Sequence, residues 1–149
     1  MDSGGAAHKV GSGGCTCLRL RKASRRVSQI YDQHLARFGL TVTQYGVLGH
    51  VASFDGISIG ALAEKLIMDP TTLTRNLQPL QRQSLLVVKP DRRDRRVRRL
   101  HVTPSGREAF ARARPGWALA QRHIEQVLGE FDSPALNAAL DRVLERLSP

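Results

Sequence analysis

KPDRRDRRVRRLHVT, residues 89–103, places six arginines in the eight positions from Arg92 to Arg99. From Lys89 to Arg99 there are seven positive and two negative side chains, a net of +5, half of the chain's formal +10. Apolar residues flank the charges: Leu85, Leu86, Val87 and Val88 before, and Val97, Leu100 and Val102 after. Two short apolar segments around a polar tip predict a β-ribbon. Guanidinium groups held on such a ribbon suit phosphate oxygens or a narrow groove.

The sequence just before the ribbon predicts helices. Ser58 can cap a short helix, Ile59 to Leu66. Asp69-Pro70 is an N-cap followed by proline at the first helical position, and opens a helix expected to reach Gln83. Pro79 lies inside it and predicts a bend or an early end near Leu77. Leu73, Leu77 and Leu80 recur at helical spacing and predict the buried stripe. Thr71, Thr72, Arg75 and Asn76 fall on the other faces, with Pro70 and Thr74 in the same first turns. Arginine can bind guanine bidentately, asparagine can bind adenine, and threonine can meet a phosphate or a thymine methyl.

Further out the chain is helical. Leu20, Val27, Ile30, Leu35 and Phe38 mark a first helix from about Cys17 to Phe38, stopped by Gly39. Thr43 is a candidate cap for a second, with Tyr45, Val47, Leu48 and Val51 inside. Thr103-Pro104 opens a long helix after the ribbon, which Pro115-Gly116 is expected to kink or interrupt and which then resumes to about Leu128. Asp132 or Ser133 is expected to cap a last helix carrying Leu136, Leu140, Val143, Leu144 and Leu147. The fold class expected is mainly α with a small β-ribbon wing. A winged helix–turn–helix over residues 39–103 is flanked by dimerisation helices, 15–38 and 104–149. Residues 1–14 are Gly/Ser-rich and expected to be a disordered tail.

Composition narrows the function. The chain has 149 residues, 41% hydrophobic and only 5% aromatic, which suits one aliphatic core. A pI near 11.0 points to a polyanionic partner, nucleic acid ahead of a membrane. No apolar run approaches the roughly 18 residues of a membrane span, and the start lacks the apolar core of a signal peptide. Two cysteines only two positions apart cannot staple a secreted fold, so a reduced, cytoplasmic location is expected. No cofactor is expected, since no phosphate-cradling loop, triad or HExxH motif is present.

The segment 58–86 followed by Asp91, Asp94-Arg95-Arg96 and Val102-Thr103-Pro104-Ser105-Gly106 resembles the MarR family of bacterial transcription regulators, over about Cys17 to Leu147. The resemblance implies a cytoplasmic homodimer, nucleoid-associated when DNA-bound, that grips a pseudo-palindromic operator in double-stranded DNA. It places the recognition helix in the major groove and Ser58 near the backbone. At the wing, with Arg92 and Arg93 alongside, Arg95 or Arg96 enters the minor groove and Asp94 braces the tip through an arginine. A sequence-specific repressor, released by a signal, is the expected function. A non-specific architectural binder using the same charge is the alternative.

Two kinds of signal are open. Cys15 and Cys17 lie at a helix start beside Arg19, Arg21 and Lys22, a setting that favours thiolate. The segment from Cys17 to Arg25 resembles the organic-hydroperoxide regulators of the family. Their sensing cysteine falls on Cys17, and their assisting tyrosines fall on Tyr31 and on Val42, with Tyr45 nearby. A C-x-C pair could instead hold a soft metal with His8, or have no sensing role, and no metal site is expected. The other signal is the one the family resemblance implies, a phenolic or aromatic acid held between the dimer helices and the winged lobe, for which Tyr31, His34, Arg37, Phe38, Tyr45 and His50 are candidate contacts.

Overall fold

The computed structural model describes residues 14–149, so the expected tail over residues 1–14, and with it His8, lies almost wholly outside the described part. Five helices and a two-stranded antiparallel sheet follow in the order α1 (Thr16–Leu35), α2 (Val42–Ser53), α3 (Ile59–Leu66), α4 (Pro70–Arg82), β1 (Leu86–Pro90), β2 (Arg98–Val102) and α5 (Pro104–Arg146). No helix among the described residues is long and apolar enough to cross a membrane.

The caps explain most boundaries. Ser58, Asp69 and Thr103 each accept a backbone N–H of their helix's first turn, at Ala61, Thr72 and Gly106. Gly39, at φ 72°, ends the turn of 3-10 helix (Ala36–Phe38) that follows α1, so the first helix is regular only to Leu35. Thr41, not Thr43, caps α2. Its hydroxyl accepts from Gln44 N while the Gln44 side chain accepts from Thr41 N, a reciprocal capping box. The Asp32 carboxylate accepts from Val42 N at 2.7 Å and fixes the start of α2 against α1.

Both expected proline breaks are corrected. α4 continues through Pro79 to Arg82, and Gln83 N still donates to Pro79 O at 3.0 Å. One missing donor near the end of a helix is outweighed by the fully buried Leu73, Leu77 and Leu80. In α5 the one non-helical residue is Gly129 (φ 83°, ψ 171°), not the Pro115-Gly116 pair. Positive φ favours glycine at that break, so the last helical segment starts before Asp132. Gly116 instead permits close packing: a Cβ there would lie 2.7 Å from His34 O and 2.6 Å from the Phe38 ring. With the buried Ala109, Ala113 and Ala120 it forms a stripe of small residues along α5. Gly106 is tighter still, since its Cβ would meet Leu85 O at 2.1 Å.

The core is aliphatic. Leu35, Leu48, Leu62, Leu73, Leu77, Leu80, Leu86 and Leu100 are fully buried, and together they join α1, α2, α3, α4 and both strands. Leu100 and Val102 face inward on β2, and Arg99 and His101 lie on its other side. The sheet has a third edge: Gly56 N donates to Leu100 O, Leu100 N donates to Ile57 O, and Ser58 forms an isolated bridge with Arg99. The connection between α2 and α3 thereby carries the wing.

Candidate nucleic-acid interface

α4 presents the side expected to read bases. Its N-cap Asp69 accepts from Thr72 N at 3.0 Å, which holds the first turn open to solvent. Pro70, Thr71, Thr72, Thr74 and Arg75 are exposed, and Asn76 is half-buried on the flank. The Thr74 hydroxyl donates back to Pro70 O at 2.8 Å, leaving its oxygen as an acceptor. Ile67, at φ 51° in the left-handed region, makes the turn that delivers α3 to α4. The Ser58 hydroxyl accepts from Ala61 N at 3.1 Å, which leaves its O–H as a donor at the start of α3.

The wing is a ribbon in register Leu86↔Val102 to Pro90↔Arg98, closed by Asp91 N donating to Val97 O at 2.8 Å. Two aspartates shape its tip. Asp91 Oδ1 accepts from the backbone of Arg93 and Asp94, at 2.7 and 3.1 Å. Asp94 Oδ1 accepts from Arg96 N and Nε, both at 3.1 Å. Their carboxyls are pulled below the usual range. Arg99 and then the two backbone donors bring Asp91 to about 2, while Arg96 lowers Asp94. Stability that Asp91 contributes is therefore complete above its ordinary pKa and is lost only as pH falls towards 2.

The arginines divide. Arg96 pairs with Asp94, yet its side chain is 91% exposed and stays at the surface. Arg99 is half-exposed but committed: its Nε donates to Asp91 Oδ2 and its terminal nitrogen donates to Gly56 O at 2.8 Å. Arg92, Arg93, Arg95 and Arg98 are exposed and meet no carboxylate at ion-pair distance among the described residues. His101 adds a second tie to the α2–α3 connection through Asp55, at 3.2 Å. Asp55, Gly56, Arg98, Arg99 and His101 were not singled out from the sequence. An arginine so committed, in a row of six, has no local signature, because its partner Gly56 is 43 residues away.

The candidate sensing residues are dispersed. Cys15 caps α1, its Sγ accepting from Leu18 N at 3.4 Å, and both cysteines are exposed thiols. Tyr31 lies 14 residues past Cys17 on α1, about 21 Å along the helix. The two cannot touch within one chain. Tyr31 donates instead to the Gln121 side chain, which donates to Glu125 at 2.9 Å. Burial, then the Glu125 charge, raises the Tyr31 pKa. His34 meets His123 edge to face, with ring centroids 5.8 Å apart, and Arg37 stacks on Phe38. Tyr45 and His50 do share a cleft, between α2 and the start of α5, with Phe110, Arg114 and Trp117. Tyr45 stacks on Phe110 and Trp117, and burial raises its pKa. His50 Nδ1 lies 2.8 Å from Gly46 O.

An exposed, capped recognition helix next to an arginine-tipped wing defines a winged helix–turn–helix DNA-binding protein. Comparisons with known proteins give the family. A MarR family profile matches residues 38–97. The transcriptional activatory protein BadR of Rhodopseudomonas palustris is 34% identical over 137 residues, 87% of this chain and 75% of that protein. The M. tuberculosis regulator MosR, solved in complex with DNA, is 30% identical with a TM-score of 0.80, over 89% of this chain and 96% of that one. The repressor CouR, bound to a 23-mer DNA duplex, is 25% identical with a TM-score of 0.78, over 87% and 92%. The chain belongs to the MarR family and is a DNA-binding transcriptional regulator of that type, not an enzyme.

Proposed function

We propose that this protein is a homodimeric, sequence-specific regulator that occupies a pseudo-palindromic operator over a promoter, represses there, and leaves when a signal arrives. The observation that carries the reading is the pairing of exposed Thr71, Thr72, Thr74 and Arg75 on α4, with half-buried Asn76 on their flank, with exposed Arg92, Arg93, Arg95 and Arg96 on the wing. One element reads base edges and the other anchors the phosphates and the adjacent groove. A purely architectural binder needs only the charge, and gains nothing from an Arg75–Asn76 pair on a capped helix.

Dimerisation is supported by apolar surface that the single chain leaves uncovered. Leu18 and Leu20 on α1, Val127, Phe131 and Leu144 on α5, and Leu147 at its C-cap are exposed, Phe131 by 89%. Such surface in a soluble regulator needs a partner, and a two-fold axis through these helices would set two recognition helices about 34 Å apart.

For the signal, the Tyr45–His50–Trp117 cleft suits an aromatic acid, with aromatic walls for the ring and Arg114 for the carboxylate. A second reading rests on Cys15, whose Sγ caps α1. A Cys17 thiolate would attack a hydroperoxide, giving sulfenic acid and an alcohol. Cys15 would then displace water to form a disulfide, and α1 would lose its cap. Fluorescence anisotropy on an operator duplex separates the two. Release by one equivalent of organic hydroperoxide, reversed by dithiothreitol and abolished by Cys17→Ser, supports the thiol signal. Release by aromatic carboxylates, lost in Arg114→Ala, supports the cleft. If neither dissociates the complex, the signal-release reading is wrong.

A further inference from the structure

Arg99 and Asp91 stand out because their charges are committed to each other and to backbone groups, on a surface otherwise built to attract DNA. Asp91 sits at the end of β1 and Arg99 on β2, diagonal neighbours across the ribbon. The Asp91 side chain is only 15% exposed, against 44% for Asp94 at the tip. Its carboxylate accepts from Arg99 Nε on one oxygen and from two backbone N–H groups of the tip on the other. The other end of the same guanidinium donates to Gly56 O. Gly56 also donates its own N–H to Leu100 O. Two residues further on, Ser58 bridges to Arg99 and caps α3, the helix that packs on α4.

We infer that the Asp91–Arg99–Gly56 chain is a lock that sets the position of the wing relative to the recognition helix, and that Asp91 and Arg99 are positioning residues rather than DNA contacts. A two-stranded ribbon is a weak structure by itself. Without a tie to the helical body, the exposed arginines could meet phosphate in many orientations and would give attraction without register. The lock converts that attraction into a fixed spacing between the groove entered by α4 and the groove entered by the tip. Arg99 uses two separate nitrogens of one planar group, Nε for the carboxylate and a terminal nitrogen for the carbonyl, a spacing that lysine's single nitrogen does not reproduce. The inference rests on the sequence-specific reading proposed above.

Charge gives the test an opposite-sign prediction. Asp91→Asn removes a negative charge from the basic face. If the wing acts by attraction alone, every duplex should be bound at least as tightly as by the wild type. The lock predicts the reverse on a selected operator duplex, a loss of about tenfold or more, with binding to random duplex at low salt undiminished. Arg99→Lys keeps the charge and is expected to lose operator affinity likewise. The double variant should be no weaker than the worse single one, since both break one chain. Tighter or unchanged operator binding by Asp91→Asn overturns the inference. So does an additive double variant. If Asp91→Asn fails to fold in a thermal melt, Arg99→Lys is decisive: wild-type operator affinity in that variant overturns the lock. Wild-type protein that prefers no duplex over random DNA fails the sequence-specific reading itself, and is distinguishable from failure of the lock alone.

Discussion

Arg95→Ala/Arg96→Ala is expected to weaken operator binding by about 100-fold or more at moderate salt. Both side chains are exposed at the wing tip, and Arg95 meets no carboxylate at ion-pair distance among the described residues. Arg96 is held by Asp94, but a guanidinium 91% exposed is free to turn a face to phosphate. Removing it also leaves the Asp94 carboxylate unneutralised at the tip, which adds repulsion to the lost attraction. The salt dependence is expected to flatten together with the affinity, by about 1.8 in the slope of log K against log salt for two lost phosphate contacts. Thermal stability is not expected to change, because neither side chain supports the core. Wild-type affinity in the double variant would remove the wing from the account.

Leu73→Ala is expected to cost about 3 kcal/mol, a fall in melting temperature of about 10 °C for a chain of this length. Leu73 is fully buried, with Leu77 and Leu80 on the same side of α4. The aliphatic surroundings, Leu48, Leu62 and Leu86 among them, are themselves fully buried and have little freedom to collapse into the space. The loss also reaches function. Leu73 anchors the turn of α4 that carries Thr72 and Arg75, so operator affinity is expected to fall well below the melting transition, where the protein is still folded. A melt within two degrees of wild type would mean that the helix is not seated as described. DNA binding unimpaired below the melt would separate its seating from its reading.

Much of this was legible in the chain because local chemistry and tertiary packing agree. Asp69-Pro70 and Thr103-Pro104 start helices in the sequence and in the structure. The stripe of Leu73, Leu77 and Leu80 is buried, and the arginine cluster sits on a two-stranded ribbon. Illegible features depended on distant partners. Thr41 and Thr43 are both plausible caps by type, and the contact of Asp32 with Val42 N favours the former. Pro115-Gly116 has the composition of a break. It is a packing device, because Phe38 and His34 come within reach of Gly116. The end expected near Leu128 does fall at a break, because Gly129 takes a positive φ there, although helix resumes directly after it and not at Asp132 or Ser133. Of the six clustered arginines, the sequence could not say that Arg99 points at Gly56. The candidate effector residues were placed by the family resemblance, and of them Tyr45 and His50 share a cleft; Phe110, Arg114 and Trp117, also on its wall, come from α5.

The central claim is that a two-fold pair of capped helices reads specific bases while the wings hold the flanking backbone. Selection of bound duplexes from a random pool tests it most directly, with wild-type protein and Arg75→Ala run in parallel. The wild type is expected to enrich a pseudo-palindrome whose half-site centres lie about 10 base pairs apart. Arg75→Ala is expected to lose preference at one position of each half-site and keep it elsewhere. No enrichment by the wild type would contradict the account, as would an Arg75→Ala profile identical to the wild type's.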